Sequence, residues 1–148
     1  MNALSILEKH KKLNIPAIAE RTITDNSEYI ADRNAEQLAQ GISADGKPTT
    51  LLGKTEYSPA TINLKRQKSG LSSVTTRITG YDTGSLYRNL YAVVQGSQIE
   101  YGSKSETAPK FESLASNRIY GLTEENKQDF IENVLQPAFI LEVERQIF

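Results

Sequence analysis

The sequence predicts an α+β fold with a long N-terminal helix, a small antiparallel sheet and a C-terminal amphipathic helix that a proline interrupts. Segments with helical spacing of apolar residues lie near both ends of the chain, and a segment with alternating apolar residues lies between them. No internal repeat, low-complexity tract or Pro/Gly-rich linker divides the 148 residues. The sequence therefore predicts a single domain over 1–148, with 1–14 as a separate or flexible N-terminal helix.

The long N-terminal helix is predicted between Ile15 and Gln40, because isoleucines and a leucine recur there among charged residues as a narrow, interrupted apolar stripe. Pro16 falls in the first turn, where a missing N–H is tolerated. Gly41 is placed to end the helix in the left-handed conformation. A loop rich in turn formers is predicted from Gly41 to Tyr57.

The middle of the chain combines a short helix with a hairpin. Ser58 and Pro59 predict the helix, with the serine as N-cap, the proline at the first helical position and an end at Gly70. Apolar residues alternate over residues 90–101 on both sides of a turn at Gly96, which predicts two antiparallel strands. A third strand is predicted at Thr75, Thr76 and Ile78.

Two helices are predicted in the C-terminal part. A short helix is predicted over residues 106–115. Thr123 is the predicted N-cap of a longer helix, whose first turn holds Glu124 and Glu125 at the positive end of the helix dipole. Apolar residues then recur at spacings of three and four, so the longer helix has one apolar face. Pro137 interrupts this pattern and predicts a kink or a break into two helices.

Charge is separated along the chain although the total is −1. Residues 47–88 hold seven basic and two acidic residues, a net charge of +5, whereas residues 120–148 hold two basic and six acidic residues, a net charge of −4. Opposite signs in different segments favour head-to-tail packing of identical subunits, although two ordinary solvated faces explain the same pattern. The candidate interface or DNA-facing residues are Lys65, Arg66, Lys68 and Arg77. The candidate acidic interface residues are Glu124, Glu125, Asp129 and Glu132.

Composition excludes several kinds of site. There is no cysteine and only one histidine, His10, so thiolate zinc sites, disulfides and sites with two imidazoles are excluded. Nothing approaches the run of about 18 apolar residues that spans a bilayer, so no membrane partner is expected. We expect no cofactor and no metal.

One short string matches an enzyme motif. Asp82-Thr83-Gly84-Ser85 has the form of the active-site string of aspartic proteases, in which two aspartates share a proton. The chain holds one copy, so a protease would have to be a dimer that uses Asp82 from each subunit. The alternative interpretation is that Asp82 caps the helical turn that follows, with Gly84 providing a backbone angle that other residues resist.

The order of the short motifs resembles that of a known class of proteins. The chain has an Asp45-Gly46 loop after its N-terminal helix, a Tyr57-Ser58-Pro59 step, a Thr83-Gly84-Ser85-Leu86 element and a Gly121-Leu122-Thr123-Glu124-Glu125 step before its last helix. In this order it is similar to the bacteriophage virion morphogenesis or tail-completion (head–tail connector) protein family. The resemblance implies a closed ring of identical subunits at the head–tail junction or tail, and it carries over no catalytic residue.

We therefore expect a non-enzymatic structural virion protein of a tailed bacteriophage. Its expected partners are further copies of itself in a ring, other virion proteins such as portal, adaptor or tail proteins, and non-specific DNA. Its expected location is the virion, assembled in the host cytoplasm. The alternatives are the dimeric aspartic-type protease using Asp82 and a small DNA-binding module using the basic segment 65–77. The second alternative lacks an aromatic residue interleaved with Lys65, Arg66 and Lys68, which base stacking requires.

Overall fold

The computed structural model describes residues 2–69 and 76–148. In chain order the elements are α1 (Ala3–Lys11), α2 (Ile15–Asp25), α3 (Ser27–Ala39), α4 (Pro59–Ser69), α5 (Ser85–Arg88), β1 (Leu90–Gln95), β2 (Gln98–Ser103), α6 (Ala108–Leu114), α7 (Glu124–Phe130), a π-helical segment (Ile131–Leu135) and α8 (Gln136–Ile147). Helices combined with a two-stranded antiparallel sheet confirm the α+β class in this part of the chain.

The segment predicted as one long N-terminal helix is divided into α2 and α3, so the single helix is not confirmed. The division falls at Asn26, whose backbone (φ −110°, ψ 16°) departs from helical values. The Asn26 side chain donates to the Thr22 carbonyl oxygen at 2.8 Å, and such side-chain bonds compete with the backbone pattern of a helix. Before this pair lies α1, a helix of its own.

The predicted glycine stop after α3 is confirmed. Gly41 has φ +74°, and its N–H donates to the Leu38 carbonyl at 2.8 Å. The Ile42 N–H donates to the Gln37 carbonyl at 3.1 Å, which completes the Schellman arrangement of a left-handed helix end. This end directs the chain into the loop that carries Asp45.

The hairpin and the N-cap of α4 follow the sequence closely. β1 and β2 pair from Leu90↔Ser103 to Gln95↔Gln98, and Gly96 turns the chain with φ +61°. Ser58 Oγ accepts the Thr61 N–H at 3.3 Å at the start of α4. The helix end predicted at Gly70 and the strand residue Thr75 lie outside the described residues. The predicted third strand is not confirmed at Thr76 and Ile78, which lie outside the β1–β2 sheet. Between them, Arg77 forms an isolated bridge with Glu56.

Two apolar clusters fill the interior, and α3 contributes to both. The first contains Leu38, Leu86, Ala108, Ile119 and Tyr120. The second contains Ile30, Ala92, Leu122 and Phe130. Tyr101 of β2 packs against both clusters and so joins them. The fold therefore places α3 against β1 on one side and against the segment leading into α7 on the other.

The C-terminal helical run continues past Pro137. Thr123 Oγ1 accepts the Asn126 N–H at 3.2 Å, which confirms the predicted N-cap of α7. The hydrogen-bond pattern then widens in the π-helical segment, where the Gln136 N–H donates to the Ile131 carbonyl five residues back. Leu135 (φ −68°, ψ −51°) and Gln136 (φ −61°, ψ −49°) keep helical angles, so the predicted kink or break at Pro137 is not confirmed. The widened turn instead precedes the residue that lacks an N–H.

Candidate functional site

The basic helix α4 is held on the loop that precedes α5. Lys65 donates to the Tyr81 carbonyl oxygen, and its ammonium lies 4.6 Å from the centre of the Tyr57 ring, within the range of a cation–π contact. The Tyr57 hydroxyl accepts the N–H groups of Thr79 and Gly80, each at 3.1 Å, which fixes the ring against this loop. The fold thus brings an aromatic ring to a basic stretch whose sequence has none.

Lys68 reaches the same loop and pairs with Asp82. Their charged atoms are 2.8 Å apart, and both side chains are more than half exposed. Lys68 lowers the pKa of the Asp82 carboxyl below its ordinary value, chiefly through this hydrogen bond. In an aspartic-protease pair one of the two carboxyls is protonated. The exposed Asp82 carboxyl, with its lowered pKa and its lysine partner, is instead held in the ionised form.

Asp82 also does not cap the turn that follows it, so that interpretation is wrong. The Ser85 N–H at the start of α5 faces the Thr83 hydroxyl oxygen at 3.4 Å, and Gly84 (φ +84°) occupies the N-cap position. The carboxylate of Asp82 is directed to α4 instead. The short side chain of Thr83 therefore takes the role that we assigned to its neighbour.

Arg77 and Arg66 complete the predicted basic set, but Arg77 contacts another element. Its guanidinium donates to the Gln40 carbonyl at 3.4 Å, at the end of α3. Its Cβ lies so close to Gly41 that an added methyl group there would be 2.7 Å away. Arg66 lies exposed on α4. The structure thus joins Lys65 and Lys68 over one loop and places Arg77 against α3.

The predicted acidic residues lie on α7 and the π-helical segment, and several have partners within the chain. Glu124 pairs with Lys127 at 2.8 Å, and Asp129 pairs with Arg33 of α3, also at 2.8 Å. Asn133 and then Arg33 lower the pKa of the Asp129 carboxyl. Glu132 accepts from Gln128 at 2.6 Å, and Glu125 is exposed. The acidic surface is therefore partly neutralised, by Lys127 at Glu124 and by Arg33 at Asp129.

A polar cleft of about 740 Å³ opens beside the first turn of α7. It lies between the end of α3 and the loop after it, with three carboxylates in its wall: Asp45, Glu124 and Glu125. No lysine or arginine lines this cleft in the part of the chain that the structure describes. The cleft therefore presents a negative concave surface that suits a basic partner.

A second cleft, of about 450 Å³, is apolar and lies over the second cluster. Its wall includes Ile99 of β2 together with Phe130 and Ile131, so the π-helical segment shapes one side. Arg118 and Lys127 also contribute to the lining. Sequence patterns did not single out this cleft, because its wall residues come from four separate segments.

The described chain lacks two other kinds of site. Among residues 2–69 and 76–148, no three histidine or carboxylate side chains are grouped as metal ligands. In the same residues, no helix combines the length and the apolar character that a membrane crossing requires.

Glu142 of α8 provides a pH-dependent contact away from the clefts. It accepts hydrogen bonds from Arg145 and Gln146 and pairs with Arg21 of α2. Hydrogen bonds from Arg145 and then Gln146, with a smaller contribution from the charge of Arg21, together lower the pKa of this carboxyl from 4.5 to about 2. The contact joins the C-terminal helix to the N-terminal part of the chain.

We expect this contact to make stability depend on acid pH. A carboxyl whose pKa is depressed in the folded state stabilises that state above its unfolded pKa and ceases to do so as pH falls through the folded pKa. Stability should therefore decline between about pH 5 and about pH 2, and less steeply in Glu142→Gln. Urea unfolding at a series of pH values measures this difference. The control is Glu144→Gln on the same helix, and equal slopes for the two variants would contradict the assignment.

The described part of the chain combines an α+β fold with a basic helix, an acidic cleft and an apolar cleft. Comparison of the chain with protein-family models, with curated proteins and with solved structures found no match. The proposal for its function depends on the chain's own residues and contacts.

Proposed function

We propose that this protein is a structural virion protein of a tailed bacteriophage, a head–tail connector or tail-completion subunit that acts as a closed ring of identical copies without catalysis. The observation that carries the proposal is the separation of charge between unlike elements. The cleft beside α7 has three carboxylates and no lining cation in the described chain, whereas α4 presents Lys65, Arg66 and Lys68. The resemblance of the motif order to phage virion morphogenesis proteins supports the class.

Unlike surfaces of opposite charge favour a head-to-tail contact. When the basic element of one copy meets the acidic cleft of the next, each subunit uses two different surfaces, and repetition closes a ring if the rotation per subunit allows it. Charge complementarity of this kind fixes orientation and speeds association. The mechanism is geometric, because the angle between the two surfaces on each subunit determines the size of the closed ring and the width of its channel.

The same basic residues are the basis of the DNA-binding alternative. Lys68 already pairs with Asp82, and Lys65 already lies on the Tyr57 ring. A phosphate backbone and the acidic cleft of a neighbouring copy would both have to compete with these partners, so the two hypotheses are separated by experiment. Retention on DNA that weakens with salt, and that weakens further when Lys65 and Lys68 are replaced, would favour this alternative over a ring contact.

Assembly should depend on the carboxylates of the polar cleft. We expect the wild-type chain, alone or co-expressed with portal, adaptor or tail proteins, to form rings of uniform copy number in low salt, because opposite charges attract most strongly there. Glu124→Lys/Glu125→Lys should prevent ring formation by placing positive charge in the cleft. Size-exclusion chromatography with light scattering and negative-stain electron microscopy measure both results.

The matched control is Glu8→Lys/Glu20→Lys, which changes the net charge equally at exposed positions of α1 and α2. This control should assemble as the wild type does. A wild-type chain that stays monomeric in every salt and partner combination would contradict the proposed function. Equal loss of assembly in both double variants would show that total charge matters and the cleft does not.

A further inference from the structure

A tight turn between the α3 loop and α4 carries a leucine in an unfavourable conformation. Leu51 and Lys54 exchange two backbone hydrogen bonds, each of 2.9 Å, across Leu52 and Gly53. Leu52 has φ +51° and Gly53 has φ +76°. Two positive φ values in a two-residue turn define type I′, in which asparagine, aspartate or glycine is preferred at the first position. A leucine there strains the backbone, since its Cβ crowds the carbonyl.

The Leu52 side chain is also unfavourably placed with respect to water, because it is 74% exposed. The turn is nevertheless firmly held, since the Leu52 N–H donates to the Leu114 carbonyl of α6 at 3.0 Å. Lys54 beside it is exposed and has no ion pair within the described chain. The turn thus presents an apolar side chain and a positive charge at a fixed place.

Helix α8 presents the complementary combination. Leu141 and Phe148 lie seven residues apart on one helix face, with Ile140 and Glu144 beside them. All three apolar side chains are more than half exposed. Glu144 is exposed and takes part in no ion pair among the described residues, whereas Glu142 faces Arg21 of α2. This face combines exposed apolar side chains with one unpaired negative charge.

We propose that the Leu52 turn of one copy docks on the exposed α8 face of a second copy, with Leu52 against Ile140 and Leu141 and with Lys54 paired to Glu144. This inference rests on the proposed function and adds a second contact between copies, distinct from that of α4 with the polar cleft. Charge complementarity and two exposed apolar surfaces support a second copy as the occupant. Within one chain the turn is held on α6, whereas α8 packs on α1 and α2. Lys54 belongs to the basic segment and Glu144 to the acidic one. Like the proposed ring contact, this contact therefore joins a basic segment of one copy to an acidic segment of the next.

A single substitution separates this role from a purely structural one. Leu52→Asn suits a type I′ turn better, so we expect a higher midpoint of urea unfolding together with self-association weakened at least about tenfold. Sedimentation velocity measures the association. The control is Leu4→Asn on α1, which removes a leucine of similar exposure outside the proposed contact and should leave association unchanged. Association of Leu52→Asn equal to that of the wild type would overturn the inference.

Exchanging the charges of Lys54 and Glu144 tests whether a second copy of the chain occupies the α8 face. Lys54→Glu and Glu144→Lys should each weaken self-association, and the combined variant should restore it, because the exchanged charges again attract. The control variant Lys54→Glu/Glu8→Lys has the same net charge as the combined variant Lys54→Glu/Glu144→Lys and should not restore association. Failure of the combined variant, or cross-linking of position 52 to a different virion protein, would overturn a second copy as the occupant.

These results distinguish the inference from the function on which it rests. If the wild type forms rings that Leu52→Asn leaves intact, the docking contact is wrong and the ring proposal stands. If the wild type forms no ring with or without other virion proteins, the proposed function is itself wrong.

Discussion

Replacing Gln37 by leucine is expected to lower the free energy of unfolding by about 2–4 kcal/mol. The Gln37 side chain is buried, with 3% of its surface exposed. Its amide donates to the Gly121 carbonyl at 2.9 Å and accepts the Thr123 N–H at 2.9 Å and the Asn126 side-chain amide at 3.0 Å. Leucine has a similar size but leaves two donors without their acceptor, and each unsatisfied buried group costs about 1–3 kcal/mol.

The expected effect is large because these bonds hold α3 to the start of α7. Asn34, one turn earlier, bonds both the Gly121 carbonyl (3.1 Å) and its N–H (3.3 Å), so two side chains of one helix face fix this segment. Urea unfolding followed by far-UV circular dichroism gives the measurement. Asp32→Ala, at an exposed position of α3, should change stability by less than about 0.5 kcal/mol. Equal effects of the two substitutions would show that the hydrogen bonds of the Gln37 side chain contribute little to the free energy of unfolding.

The features that sequence predicted well are the local ones. The Ser58 and Thr123 caps, the Gly41 helix end and the hairpin around Gly96 each depend on a few neighbouring residues, and each is present. The division of the N-terminal helix at Asn26 was missed, because an asparagine within a helical pattern does not show whether its side chain will bond the backbone.

Contacts between distant residues could not be predicted from sequence. The bonds from Asn34 and Gln37 to Gly121 join positions more than 80 residues apart, and polar residues in an amphipathic helix usually indicate its exposed face. The Leu52 turn was missed for a related reason. Its Leu-Gly pair differs from the Asn-Gly or Asp-Gly pairs that identify a type I′ turn.

The charged segments themselves were visible in the sequence, but the pairing of individual charges was not. Lys68 with Asp82, Arg33 with Asp129, and Arg21 with Glu142 are ion pairs within the chain. Charges already paired have less to gain from a partner, because they would first have to leave an existing contact. Charge-reversal experiments are therefore most informative at residues without such pairs, which is why Lys54 and Glu144 are the sharper test positions.

A second large effect is expected for Ile30→Ala, which should lower the free energy of unfolding by about 2–5 kcal/mol. Ile30 has no exposed surface and packs with Ala92, Leu122 and Phe130 in the second cluster. Removal of three side-chain carbons there loses the free energy of burying them and leaves a cavity. Because α3 is held on both sides, it cannot move far enough to close this cavity. Leu38→Ala makes the same kind of deletion in the first cluster, again at a side chain with no exposed surface.

Together these two substitutions test the prediction of a single domain. Both residues lie on α3, and Tyr101 contacts both clusters, so loss of one cluster should withdraw support from the other. We expect each variant to unfold in one transition, shifted as a whole to lower urea, with tyrosine fluorescence and far-UV circular dichroism coincident. If Ile30→Ala instead moved only part of the transition and left the rest at the wild-type midpoint, the two clusters would be separate cooperative units. A ring subunit needs the first result, because an angle between two surfaces is fixed only when the elements that carry them form one rigid body.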